Sequence, residues 1–237
     1  MSHPCVSRTP NRAGRLIVRP AHLTDHEAIR AVVRAAYQQY EPITGSELFS
    51  RYLEDLFDFE RHSRHGQLIV AELDGTVRGS GAFYPDVSVQ GVGWPRGWAG
   101  GRALAVHPDA RGHGVGQALL AAAECLAQHH GAPVFALHTA SFMTTAIAMY
   151  DRQGYRRAPE YDRDLGAFFG LDGQATFRSI AYIRELPTDQ PPGTSSADET
   201  RLAAVAQALG PDHRTIQPES GRLPLSGWRW SSVDIRR

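Results

Sequence analysis

Arg111, Gly112, Gly114 and Gly116 fall within the stretch HPDARGHGVGQALL. Three glycines this close together allow the backbone to turn tightly and let a ligand approach it. The apolar run before them, WAGGRALAV, predicts a strand over 98–107. The run after them, VGQALLAAAECLAQ, predicts a helix from about Gly114 to His130. The first amides of such a helix have no acceptor within it and point into the turn, where its dipole favours an anion such as a phosphate or pyrophosphate. No lysine followed by Ser or Thr closes the turn, so the equipment that holds Mg²⁺ and a γ-phosphate is missing. The glycine spacing is not GxGxxG either, and the turn lies mid-chain. A purely structural turn fits the same residues.

The segment LAVHPDARGHGVGQALL resembles the acyl-coenzyme-A-binding segment of the GCN5-related N-acetyltransferase (GNAT) superfamily. That family places Arg or Gln, two residues, Gly, one residue, then Gly or Ala, and here these are Arg111, Gly114 and Gly116. The strand end Leu104–Val106, the pair His107–Pro108 and the downstream AIAMYDRQGY extend the likeness. The resemblance implies acetyl-coenzyme A as co-substrate. The amides of Gly112, His113, Gly114, Val115, Gly116 and Gln117 would hold its pyrophosphate. Arg111 would add a charge-assisted contact or brace the loop. Backbone groups of Leu104, Ala105 and Val106 would pair with the pantetheine amides as an added strand does. Tyr150, placed with Ala146, Gly154 and Tyr155 as in the family, would protonate the leaving thiolate. A packed aromatic on an amphipathic helix is the other reading of Tyr150.

A general base is harder to place, and an amine with an ordinary pKa near 10 must lose a proton before it attacks. Many relatives carry a glutamate in a pattern like AEIRLLAV, whereas this chain reads AGGRALAV and has Gly100 at that place. Glu41, Glu72 and His138 are substitutes, each with a plain reading as a surface or strand-edge residue. Water relayed through backbone carbonyls is another. Glu54, Asp55, Asp58 and Glu60 could attract a cationic amine, although they read first as a solvated helix face. Tyr37, Tyr40, Trp94 and Trp98 could wall an acceptor pocket or serve as core.

The elements that position these residues follow from periodicity. Residues 15–20 predict a strand, with Thr24 or Asp25 capping a helix that runs through Glu41 and is broken at Pro42–Gly45. Ser46 opens a second helix through about Arg64. QLIVAELDGTVRGSGAFY is a hairpin about Asp74–Gly75. After the central helix come a strand over Val134–Thr139, a helix over about 142–152, a strand from Tyr155 to Arg157, and a last strand, ATFRSIAYIREL. The fold class is α/β. The resemblance implies a mixed, mostly antiparallel, strongly twisted central sheet with helices on both faces, its two central strands splaying apart. We expect a leader over 1–14, an acetyltransferase domain over 15–186, a linker over 187–200 and a partly helical tail over 201–237, docked on the domain or on a partner subunit.

The chain has 237 residues, with 25 basic residues matching 25 acidic ones. Such a balance argues against a nucleic-acid binder. Cys5 and Cys125 lie in the leader and in an apolar helix, so a reducing, cytoplasmic setting fits better than a disulfide. No stretch reaches the roughly 20 apolar residues of a membrane span. There is no HExxH motif and no Cys/His cluster with ligand spacing, so no metal is expected. The leading expectation is direct transfer of an acetyl group to a small-molecule or peptide amine, without a covalent enzyme intermediate. The alternatives are a non-catalytic acyl-coenzyme A sensor, transfer of a longer acyl group, and a protein amine as acceptor. The resemblance also allows a homodimer.

Overall fold

A computed structural model describes residues 15–171 and 177–187, and the backbone of Trp230–Ser231. Its centre is one mixed sheet. The strands are β1 (Leu16–Pro20), β2 (Gln67–Leu73), β3 (Thr76–Tyr84), β4 (Ala99–Val106), β5 (Val134–Ala140), β6 (Arg156–Arg157), β7 (Arg163–Asp164), β8 (Arg178–Glu185) and β9 (Trp230–Ser231). They lie in the order β6-β8-β5-β4-β3-β2-β1-β9, with β7 also on β8. The pairings are antiparallel except for β4 with β5. The sheet is therefore mixed and mostly antiparallel.

Central strands carry apolar side chains on both faces, because both faces are covered. In β5, Val134 and Ala136 join the core on one face, while Phe135 and Leu137 join the core on the other. The first core is covered by α1 (His26–Tyr37) and α3 (Ser46–Phe57). Ile29, Val32, Val33, Ala36 and Tyr37 form the buried face of α1 at spacings of three and four. The second core is covered by α5 (Val115–His129), whose small residues Ala118, Ala122 and Ala123 bring it close to the sheet. Close approach also explains Gly79 in β3, where a Cβ would stand 2.5 Å from Val115 Cγ1.

Three boundaries differ from the sequence expectation. Pro42 does not break the first helix. A 3-10 turn at Gln38–Tyr40 leads into α2 (Glu41–Thr44), where Pro42 sits in the first turn and has no amide to lose. The chain turns instead at Gly45, with φ 76°. The expected single helix over 46–64 is two: Asp58 leaves helical geometry at ψ 67°, and its carboxylate accepts the Arg61 amide at 3.0 Å to start α4 (Phe59–His65). Asp25 does not cap α1 with its side chain. It accepts from Arg19 at 2.6 and 2.9 Å and from the His22 amide at 2.7 Å.

The remaining elements fall close to expectation, with α6 at Thr144–Arg152 and the short α7 at Leu165–Phe168. The leader, the linker beyond Pro187, the expected helix over 201–209 and Cys5 lie outside the described residues, as do 172–176. The backbone of β9 pairs with β1 through Ile17↔Ser231 and Val18↔Trp230.

Candidate active site

The site begins where two neighbouring strands part. β4 and β5 pair in parallel only at Ala99↔Phe135, Gly100↔Ala136 and Gly101↔Leu137. Beyond that point both strands continue, to Val106 and to Ala140, without pairing to each other. A bulge redirects β4 at the same place. Arg102 faces Ala82 and Ala105 faces Ser80, so Ala103 and Leu104 together oppose Gly81. Ala103 takes φ 56°, a left-handed conformation that a non-glycine residue rarely adopts. Tyr37 secures the bulge from α1, its hydroxyl donating to the Leu104 carbonyl at 2.9 Å.

The parted strands open a cavity of about 100 Å³. It draws lining residues from both cores: Tyr37, Tyr52 and Leu56 on one side of the sheet, Leu119, Leu120 and Tyr150 on the other. The gap thus joins the two faces of the sheet.

At the far end of β4, the 3-10 turn Pro108–Ala110 leads through Gly112 at φ 79° to Gly114 at φ 78°. α5 begins at Val115, and its first helical bond runs from the Ala118 amide to the Gly114 carbonyl. The amides of Val115, Gly116 and Gln117 precede that bond and have no acceptor one turn back. Gly112 has open space where a Cβ would be. Gly116 serves helix packing as well, since a Cβ there would lie 3.1 Å from Met149 Sδ on α6. The turn and the helix carrying Tyr150 are therefore in direct contact. The Arg111 guanidinium reaches back to the end of α1, at 3.3 Å from the Ala36 carbonyl and 3.5 Å from Gln39 Oε1. In this arrangement it braces the loop.

Tyr150 lies in α6, packed between Tyr155 and Tyr182 at ring distances of 5.6 Å, with 4% of its surface exposed. Its hydroxyl makes no hydrogen bond with a described residue. Burial raises its pKa well above the ordinary phenol value, so it holds its proton at neutral pH. Such a group can donate a proton but cannot serve as a base.

The expected position of a carboxylate base is closed. A Cβ at Gly100 would fall 2.1 Å from the Ala136 carbonyl and 2.5 Å from Val87 Cγ1. Arg102, two residues along the strand, lines the cavity. Its guanidinium bonds Asp55, which also bonds Arg61. Burial opposes the Asp55 charge, but Arg102 and Arg61 outweigh it and hold the carboxyl below its usual pKa. Asp55 thus faces inward, while Glu60 pairs with Arg64 on the surface as a solvated helix face does.

His62 supports Asp55 from behind. Its Nε2 lies 3.2 Å from the Asp55 carbonyl, an acceptor, so Nε2 carries the proton and Nδ1 accepts from the Tyr84 hydroxyl at 2.6 Å. Burial lowers its pKa to about 4, which keeps it neutral at pH 7.

Of the substitute bases, Glu72 is tied to Arg19 at 2.5 Å on β2, away from the gap. Glu41 starts α2 and is absent from the cavity lining. His138 does line the cavity. Its Nε2 donates to the Tyr161 carbonyl at 2.8 Å, its ring lies 4.5 Å from Trp94, and burial lowers its pKa to about 4. Trp94, Trp98 and Tyr161 stack on one another at 4.9 to 6.1 Å, so Trp94 and Trp98 belong to a packed aromatic cluster beside the cavity. Tyr37 lines the cavity itself, and Tyr40 packs beside it. Among the described residues, no three His, Cys, Asp or Glu side chains converge as a metal site requires. No helix among them is long and apolar enough to cross a membrane.

The profile of the Acetyltransferase (GNAT) family matches residues 29–155, just over half of the chain. The chain belongs to the GNAT acetyltransferase family. No curated protein matches it. Among solved structures, a PaiA N-acetyltransferase from Thermoplasma acidophilum in complex with coenzyme A is similar at 15% identity and a TM-score of 0.55, over 72% of this chain and 99% of that one. A GCN5-related N-acetyltransferase from Rhodopseudomonas palustris is similar at 21% identity and a TM-score of 0.52, over 78% and 100%. A ribosomal-protein-alanine N-acetyltransferase from Brucella melitensis is similar at 20% identity and a TM-score of 0.50, over 71% and 99%. At these identities the likeness is one of fold.

The matched segment includes β4, the glycine turn, α5 and Tyr150. Arg102 and His62 escaped the sequence reading, and Asp55 entered it only as one member of an acidic run set against a cationic amine. Arg102 was legible in principle, because it shares a strand face with Gly100. Asp55 was hidden in a run of similar charges.

Proposed function

We propose that this acetyltransferase moves an acetyl group from acetyl-coenzyme A directly to an amine, with both substrates meeting in the gap between β4 and β5. The observation that carries this reading is the cavity through the parted strands, with Tyr150 on one side and Tyr52 and Arg102 on the other. The amides from Gly112 to Gln117 would hold the pyrophosphate, and the β4 edge at Leu104, Ala105 and Val106 would guide the pantetheine arm. The thioester supplies an activated acyl carbon. The neutral amine attacks it, a C–N bond forms as the C–S bond breaks, and Tyr150 gives its proton to the departing sulfur. The amine's surplus proton passes to water, and water returns a proton to the Tyr150 phenolate, so the phenol is restored for the next turnover. Coenzyme A bound to the Thermoplasma protein of the same fold supports the choice of donor.

Thiol release from acetyl-coenzyme A, followed with a panel of amines that includes amino acids, peptides, polyamines and aminoglycosides, tests the reading. Release should depend on an amine. Gly114→Val tests the turn. A β-branched residue at φ 78° costs about 1–2 kcal/mol in strain and covers the helix amides. Losing two or three charge-assisted bonds should weaken coenzyme A binding about 100-fold by calorimetry. An unchanged affinity in a folded variant would leave the turn a purely structural one.

A further inference from the structure

Among the described residues, the cavity is lined by two charged side chains, Arg102 and Arg163, and by no carboxylate. Asp55 stands behind Arg102, shared with Arg61, so one carboxylate faces two guanidiniums; Arg61 also lies 3.5 Å from the more exposed Asp58. Arg163 donates to the carbonyls of Asp162 at 2.8 Å and Glu160 at 3.5 Å, which leaves its charge uncompensated by those contacts. Its guanidinium lies across Gly93, where a Cβ would fall 2.2 Å from Nη2. Arg102 spends one of its five N–H donors on Asp55, and its guanidinium lies 5.5 Å from the centre of the Phe168 ring. The lining also includes the apolar Leu56, Met143, Leu165 and Phe169, beside the polar Gln90, His138, Thr139 and Ser179.

We infer that the acceptor is a compact amine that also carries a carboxylate, an apolar α-amino acid, whose carboxylate is bound by Arg102. This inference rests on the acetyl-transfer reading and narrows its acceptor. A polyamine or aminoglycoside would bring several positive charges into a cavity walled by guanidiniums, which is unfavourable. A carboxylate finds in Arg102 a planar donor set held in place by Asp55, itself fixed through His62 and Tyr84. Leu56, Met143, Leu165 and Phe169 suit an apolar side chain.

The same charges address the missing base. A positive, low-dielectric surrounding disfavours an ammonium and favours the free amine. The site can therefore promote loss of the proton where Gly100 leaves no room for a glutamate.

The test compares phenylalanine, leucine and methionine with the amines that lack only their carboxylate, together with spermidine. Thiol release should proceed with at least one amino acid at a kcat/KM about 10- to 100-fold above its decarboxylated twin, the span expected of charge-assisted bonds to one guanidinium. Arg102→Met should remove that preference by raising KM for the amino acid. Arg102→Lys should retain part of it, and both variants should keep their affinity for coenzyme A, which certifies their fold. Equal use of the twins, a preference for spermidine, or a preference that survives Arg102→Met would overturn the inference. If no amine supports release, tryptophan fluorescence with coenzyme A present separates the two readings. Binding of an amino acid but not of its twin would uphold the inference and remove acetyl transfer. Binding of neither would overturn the inference.

Discussion

Tyr150→Phe should lower kcat for amine-dependent thiol release by about 100- to 10,000-fold, the usual worth of a positioned proton donor. KM for acetyl-coenzyme A should stay nearly constant, because the ring that lines the cavity is kept. The hydroxyl has no hydrogen-bond partner among the described residues, so its removal leaves the contacts with Tyr155 and Tyr182 in place. Thermal stability should change by no more than about 0.5 kcal/mol. These two readouts separate the roles of this residue. A core aromatic that does no chemistry would tolerate the change in kcat, whereas a proton donor would not tolerate it even in a fully folded protein. Rates measured with a thioester whose thiol is more acidic than coenzyme A should fall less, since such a leaving group needs the proton less.

Gly100→Glu supplies the carboxylate that the family resemblance leads one to expect at this place, and it should damage the protein rather than speed it. The added Cβ would meet the Ala136 carbonyl at 2.1 Å, in the short stretch where β4 and β5 still pair. Backbone cannot yield as a side-chain end can, so one strand must shift. A cost of about 3 kcal/mol is expected, at the upper end of overpacking effects. For a chain of this size that lowers the melting temperature by about 6–12 °C. Activity should fall with it, because the same pairing sets where the strands part. Gly112→Ala is the control. Open space surrounds its Cβ position, leaving only the strain of φ 79°, about 1–2 kcal/mol. A stable, faster Gly100→Glu enzyme would refute both the packing argument and the account of how this site manages without a carboxylate base.

Much of this was legible in the residues. The alternation of runs around Asp74–Gly75 gave the hairpin, and the glycine turn between a strand and a helix gave the junction of β4 and α5. Both depend on local chemistry, which short stretches of sequence record well. What escaped depends on contacts between distant segments. Nothing in AGGRALAV marks Ala103 for φ 56°, because the bulge is imposed by the register with β3 and held by Tyr37 from α1. The break at Asp58 was missed for a subtler reason. Its capping bond to Arg61 is local, but an acidic residue in an amphipathic run gives no warning that it will end one helix and begin another. Asp55 and Glu60 have the same charge and neighbouring places, yet one faces Arg102 in the cavity wall and the other pairs with Arg64 at the surface. Only the packing of α3 against the sheet decides between them. Gly100 reads in sequence as a missing base. In the fold it is a glycine that the strand pairing requires.

The central claim is that donor and acceptor meet in the gap between β4 and β5, and initial rates of amine-dependent thiol release, measured while both concentrations are varied, test it most directly. Direct transfer needs both molecules bound together, so reciprocal plots should give lines that intersect. Parallel lines, the mark of an acetylated enzyme formed before the amine binds, would contradict the account, as would thiol release that no amine accelerates.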